Sequence, residues 1–318
     1  MKYATALLAL SLLLPAAHAQ NFPERPIRIL VPFAPGGSTD ILARMLGQKM
    51  TEAWGQQVVV DNRTGGNGVI AAQLTAQANA DGHTLLMVAI GHAINPSLLK
   101  SLPYDTARDF TPISLTAILP LMVVVHPAVK ATSMQELIAL ARSGAKPLTY
   151  ASGGIGSSQH LAAELINFMA GVKMTHIPYK GGAPGLLDVI AGHVDMMAST
   201  ILTVAPHARA GRLRALAITT AQRNAAWPEL PTVAESGLKG YESIAWYGMV
   251  APAGLPPAVL AKLSDVMIKG TRAADMRDAL ISQGAEPAGS TPREFAAFIK
   301  SETAKYARVI KEAGVKGD

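Results

Sequence analysis

The chain has 318 residues, 49% of them hydrophobic and only 16% charged, which excludes a disordered or coiled-coil protein and supplies enough material for two domains. It contains no cysteine, so thiolate nucleophiles, disulfide frameworks, iron–sulfur clusters and cysteine zinc sites are excluded together. The net charge of +6 suits anionic partners, but Lys and Arg form no run and aromatics are only 5%, so nucleic acid is not expected as a partner.

Residues 1–19 read as a secretory signal. Lys2 gives a positive start, residues 4–14 are apolar, and Ala17-His18-Ala19 forms a small-residue cleavage site, so export with cleavage near Ala19 is expected. That apolar run is too short to span a bilayer, and no later stretch approaches the length needed. From Ile27 onward, β-rich runs alternate with helical ones. The patterning predicts a strand over 27–33, a helix over 38–54 closed by Gly55, a strand over 57–61, a helix over 69–79 and a strand over 83–89. A loop containing Asn95-Pro96 and Pro103-Tyr104 follows. Residues 113–125 are then one long apolar stretch, expected to be a strand crossing between domains and ended by His126-Pro127. The grammar repeats with a helix over 133–142, a strand over 148–151, a helix over 158–170, a strand over 174–178, a helix over 184–191, and strands over 193–198 and 213–219. After a turn-rich passage at Trp227-Pro228 and Pro231 come a strand over 243–251 and helices over 256–269, 273–282 and 291–313. Such alternation predicts an α/β fold of two lobes, each a sheet flanked by helices. The expected division is a discontinuous first domain, 20–123 with 225–318, and an inserted second domain, 124–224, with the ligand cleft between them.

Glycine-rich junctions carry the candidate chemistry. In Pro32-Phe33-Ala34-Pro35-Gly36-Gly37-Ser38-Thr39-Asp40 a strand stops, the backbone turns on two glycines and a helix begins. Free N–H groups at such a helix start, reinforced by the helix dipole, hold a carboxylate or phosphate, and Gly37 is expected to take positive φ or to let the ligand approach the backbone. Three further junctions have the same character: 151–158, containing Ser152, Gly156, Ser157 and Ser158; 179–184, containing Tyr179 and Lys180; and 62–68. Loops at the carboxyl ends of parallel strands gather on one sheet edge, so two facing lobes would line their cleft with these loops. His92, which follows Gly91 after a strand, is a further candidate for the cleft, with a histidine satisfied by loop backbone as the equal alternative; Asp195 is another, although a strand-start carboxylate more often accepts bonds from loop amides.

Other chemistries fit the residues less well. Gly154-Ile155-Gly156 has Gln159 where a dinucleotide fingerprint needs its third glycine, and no Gly-Lys-Ser/Thr phosphate loop occurs. Tyr150-Ala151-Ser152-Gly153-Gly154 resembles a nucleophile elbow with Tyr150 in place of its first glycine, with His160 and His176 as candidate bases, which leaves an exported serine hydrolase as the alternative. No cofactor and no metal site is expected. His160 and Glu164 share a helix face without forming a zincin motif.

Taken together, the marks resemble the substrate-binding proteins of tripartite tricarboxylate transporters, the Bug family. They are the 32–40 junction, Asp61-Asn62-Arg63, Asp81-Gly82-His83-Thr84-Leu85-Leu86, the 152–161 segment, Pro178-Tyr179-Lys180-Gly181-Gly182, Gly211-Arg212-Leu213-Arg214-Ala215-Leu216 and Trp246-Tyr247-Gly248. The resemblance covers essentially the whole chain after the signal. It implies a periplasmic binding protein of the two-lobed type II class, expected to be monomeric and not an enzyme. Such a protein holds a small organic carboxylate and delivers it to the membrane subunits of a transporter; a sensor subunit presenting its liganded form would use the same cleft. It also implies ligand contacts, partly through water, from Gly36, Gly37, Ser38, Thr39 and Asp40 and from the facing loop around 152–158, while Phe33, His92, Tyr179, Lys180 and Asp195 complete the expected lining. In one respect this chain departs from the family. Where an Asp-Asn-like pair is common after Asp195, it has Ser199-Thr200, which leaves that wall less acidic and more tolerant of extra ligand carboxylates.

Overall fold

The computed structural model describes residues 22–144 and 147–313, so the expected signal segment lies outside the described residues. The first part of the chain runs β1 (Ile27–Val31), α1 (Ser38–Trp54), β2 (Val58–Asn62), a single 3-10 turn (Gly66–Gly68), α2 (Val69–Ala76), β3 (Thr84–Ala89), α3 (Gly91–Leu98) and β4 (Phe110–Val125). It continues with α4 (Met134–Ser143), β5 (Thr149–Ser152), α5 (Ser158–Ala170), β6 (Thr175–Pro178), α6 (Gly182–Ile190), β7 (Met196–Thr200), α7 (Ile201–Arg209) and β8 (Arg214–Ile218). The last part returns through β9 (Ile244–Pro252), α8 (Pro257–Arg272), α9 (Ala274–Ile281), β10 (Glu286–Pro287) and α10 (Pro292–Ala313).

The strands make one mixed sheet in the order β2-β1-β3-β9-β4-β7-β5-β6, with β8 and β10 also paired to β4. β1 runs parallel to β2 and β3, and β5 parallel to β6 and β7, while β9 lies antiparallel between β3 and β4. β4 belongs to both halves. Phe110 to Pro120 pair with β9, and Leu121 to Val125 pair with β7 on one side, four of the five also meeting β8 on the other. Pro120, which has no N–H to give a ladder, sits where the partners change. Beyond it the side chains alternate: Leu121, Val123 and Val125 enter the largest core, and Met122 and Val124 enter a separate core on the opposite face. Burial on both faces explains why this stretch is apolar without interruption.

Several elements differ from the patterning. α3 forms where a loop was expected, despite Pro96 within it, because Ala93, Ile94 and Leu98 are buried in a core shared with Phe295 and Ile299 of α10. α7 forms across Pro206 with Ile201, Val204 and Ala205 buried in the third core. β7 starts at Met196, because 193–195 are occupied by the turn that leads out of α6.

Candidate functional site

Loops at the carboxyl ends of β1, β3, β5, β6 and β7 meet where the two halves of the sheet face each other. The first contact is backbone to backbone: the Ala34 N–H donates to the Lys180 carbonyl at 3.0 Å. The second is a cluster of buried hydroxyls. Ser38 Oγ lies 2.6 Å from Thr200 Oγ1 and 3.0 Å from Thr203 Oγ1, which are themselves 2.9 Å apart. The phenol of Tyr247, from β9, joins Ser38 and Thr200, and burial pushes its pKa upward. One hydrogen-bonded group thus ties the start of α1 to the β7–α7 junction and to the central strand.

Beside this cluster is an inner chamber of about 30 Å³, lined by Gly37, Ser38 and Thr39 of α1, Ile90 and Gly91 of α3, Ser157, Ser158 and Gln159 of α5, Gly182 of α6, and Phe33, Asn67, Ala89 and Tyr247. Four helix N-termini converge there, two from each half of the fold. No side chain caps α1, α3 or α6, so their first N–H groups are not consumed by capping side chains; α5 is capped by Ser157, whose hydroxyl accepts from the His160 N–H. No charged side chain lines this chamber. The positive ends of four helix dipoles therefore set its potential, each worth about 0.3–1 kcal/mol to an anion. Toward solvent, past Phe33 and Asn67, an outer chamber of about 310 Å³ is walled by Gly65, Gly66, Leu99, Gly153, Gly154, Ile155, Pro178, Tyr179 and Lys180.

Of the expected residues, Phe33, Gly37, Ser38, Thr39, Ser157 and Ser158 reach the inner chamber, and Tyr179 and Lys180 reach the outer one. The others are placed differently. Gly36 is the glycine of its loop that needs positive φ, at 84°, whereas Gly37 is extended with φ −81° and has open room for a Cβ. Asp40 is buried with its carboxylate turned into its own loop, where it accepts from the Gly36 N–H, from Nε and Nη2 of Arg44 and from the Asn62 amide. Burial alone would raise its pKa, but these bonds outweigh burial and hold it below the usual value. Asp40 is thus a brace for the cradle and presents no free carboxylate edge to a ligand. His92 faces a separate void of about 20 Å³ with Asn95 and Tyr104, edge-on to Phe110, and burial lowers its pKa to about 4. Asp195 stands at the opening end of β7, away from the loop cluster, and accepts from the Thr149 N–H and hydroxyl. Gly156 supports the site from behind: its N–H donates to His160 Nδ1, and a Cβ on it would strike Asn67 and Leu98 of the other half.

Ser152 does pair with a histidine, its Oγ 2.6 Å from His176 Nε2. Yet Ser152 is fully buried, lines neither chamber and accepts the Gly154 N–H. His176 stacks on Tyr150 and lies tilted against His160, and burial, then the neighbouring His160, lower its pKa to about 4. A base that weak at neutral pH is poorly matched to deprotonating a serine. Among the described residues no cluster of three or more His, Asp or Glu could hold a metal, and no helix is long and apolar enough to cross a membrane.

Several lining residues were not singled out by sequence. Asn67 touches both chambers and is held at φ 50°, a left-handed conformation that asparagine tolerates, by bonds exchanged with Asn95. Gln159 accepts the Gly153 N–H and reaches Gly182, joining two of the loops. Thr200, flagged only as a departure from family pattern, lies in the hydroxyl cluster.

The family described as "Tripartite tricarboxylate transporter family receptor" matches residues 42–315 of this chain. A "UPF0065 protein in tcbD-tcbE intergenic region" from Pseudomonas sp. (strain P51) is 40% identical over 96% of this chain and 92% of its own length. Among solved structures, an R. palustris protein with adipate is 37% identical with a TM-score of 0.87, covering 92% of this chain and 98% of that one. The periplasmic binding protein BugD is 33% identical with a TM-score of 0.90, covering 93% of this chain and 100% of that one.

Proposed function

This chain belongs to the tripartite tricarboxylate transporter receptor family, whose members are periplasmic binding proteins, and we propose that it captures a small organic carboxylate between two lobes and hands it to a membrane transporter of that type. The observation that carries this reading is the convergence of four helix N-termini on a chamber whose lining contains no charged side chain. Such a chamber recognises an anion through oriented N–H groups and hydroxyls, with Ser38, Thr39, Ser157, Ser158 and Gln159 as the polar side chains in reach. The solved relative with adipate supports a carboxylate as the anion. On this reading the lobes are 20–123 with 225–318 and 124–224, they close on the ligand, and the protein works as a monomer in the periplasm after removal of residues 1–19. Native mass spectrometry of the purified protein tests the substrate class, since a co-purified acid is expected. A carboxylate at one hundred times its Kd should stabilise the fold by about 2.7 kcal/mol. Failure of every small acid to shift the melting temperature would refute the reading. N-terminal mass analysis of periplasmic protein should find a start near Gln20; an intact Met1 would refute export with cleavage.

The pairing of Ser152 with His176 favours a second reading, an exported hydrolase. Ester turnover abolished by Ser152→Ala would establish it. The burial of Ser152 and the low basicity of His176 favour the binding protein instead, in which the pair fixes the β5–α5 loop.

A further inference from the structure

The two chambers differ in size and in chemistry, and the difference orients a ligand. The inner one, at about 30 Å³, has about a tenth of the room of the outer one, so it takes the head of an acid and not its body. The outer one, at about 310 Å³, is about twice the ~150 Å³ in which an apolar cavity holds benzene. Phe33 and Asn67 belong to both walls, so the two chambers adjoin; the void at His92 also adjoins the inner one through Phe33, Asn67, Ala89 and Gly91, but at about 20 Å³ it has no room for the body of an acid. Around the outer chamber stand Phe33, Leu99, Ile155, Pro178 and the ring of Tyr179, whose hydroxyl is engaged by Asp188. The glycines between them present backbone. Lys180, exposed at the solvent end, is the one charged side chain on that wall, and no acidic one lines it.

Resting on the carboxylate reading above, we infer that the ligand sits head first, its carboxylate in the inner chamber and an uninterrupted apolar body, one aryl ring or a chain of about four to six carbons, in the outer chamber. Hydroxyls along that body meet mainly apolar side chains and lose hydration, so hydroxy-acids and tricarboxylates are disfavoured. A second carboxylate is accommodated only at the far end of a long body, beside Lys180.

Calorimetry on the mature protein, freed of co-purified ligand by unfolding and refolding, tests this with acetate, butyrate, hexanoate, phenylacetate, adipate, malate and citrate. Affinity should rise about fourfold per methylene from butyrate to hexanoate. Phenylacetate and adipate should bind at least tenfold more tightly than malate or citrate. Ile155→Ser should weaken hexanoate several-fold while leaving acetate within twofold, and Lys180→Gln should weaken adipate but not hexanoate. Because both positions are surface-accessible loop sites, circular dichroism should confirm that each variant folds. Malate or citrate binding more tightly than hexanoate and adipate would overturn the inference and leave carboxylate capture standing. Absence of binding by every acid would overturn both.

Discussion

Replacing Gly181 by alanine should weaken ligand binding as well as the fold. Gly181 has φ 130° and ψ 165°, a region open essentially to glycine alone, so alanine there costs about 1–3 kcal/mol in any state of the protein. The interface between halves adds a separate penalty. An ideal Cβ would lie 2.9 Å from the Ala34 nitrogen and 3.2 Å from the Phe33 Cβ, and the first of these is backbone that cannot rotate away. The loops must separate, which breaks the bond from the Ala34 N–H to the Lys180 carbonyl at about 1 kcal/mol and adds about 1–3 kcal/mol of overpacking. Only the closed form bears this part, so about 2–4 kcal/mol should appear in Kd, a loss of about 30-fold to about 1,000-fold. Gly211→Ala is the matched control, since Gly211 also has positive φ, at 68°, but nothing lies within 4 Å of its Cβ. Thermal melts without ligand should fall for both variants. Calorimetry with adipate, and the scattering radius with adipate present, should change for Gly181→Ala alone. Adipate binding by Gly181→Ala within twofold of the parent would refute the idea that this contact limits closure.

Gly36→Ala should weaken carboxylate binding more than Gly37→Ala, because Gly36 alone has positive φ and its N–H is fixed by Asp40; equal losses in calorimetry would show that the backbone turn is not what shapes the cradle. Thr200→Val removes one hydroxyl from the cluster with Ser38, Thr203 and Tyr247 and should destabilise the closed form by about 1–2 kcal/mol, read as roughly a fivefold to thirtyfold weaker Kd with an unchanged circular dichroism spectrum. His92, His160 and His176 all have pKa values lowered by burial, His92 and His176 to about 4, so the unfolded chain binds more protons than the folded one between their ordinary value of 6.5 and about 4. Their contribution to stability is complete above pH 6.5 and is lost as pH falls toward 4; His92→Gln and His176→Gln should each make the melting temperature less steep in that window, and unchanged slopes would refute the assignment.

The periodic parts of the fold were legible because each residue carried its own signal. α1 matches the expected 38–54 because Gly37 and Gly55 punctuate it, and β4 is apolar on both faces because both are covered. α3 and α7 were hidden by Pro96 and Pro206, whose local disfavour is outweighed by apolar burial that no short window contains. The same limit applies to the candidate site. Loops rich in glycine and serine announce themselves, so Ser38, Thr39, Ser157 and Ser158 could be named from spacing and family resemblance. Asn67, Gln159 and Thr200 could not, since their value lies in partners more than 20 residues away or in a loop whose path only the fold reveals. For Asp195 the sequence offered two roles, and the structure favours the strand-start carboxylate that accepts from a backbone N–H over the ligand contact.

The position of β9 has a consequence for biosynthesis. It fills the gap between β3 and β4, yet it is made long after both, once 244–252 are available. A nascent chain therefore holds two strands of its first half without their common neighbour while residues 126–243 are being synthesised. Such distant pairing folds slowly, because the large loop must be closed before any hydrogen bond rewards it. This late keystone keeps the two halves of the sheet from completing their common ladder until most of the chain has been made.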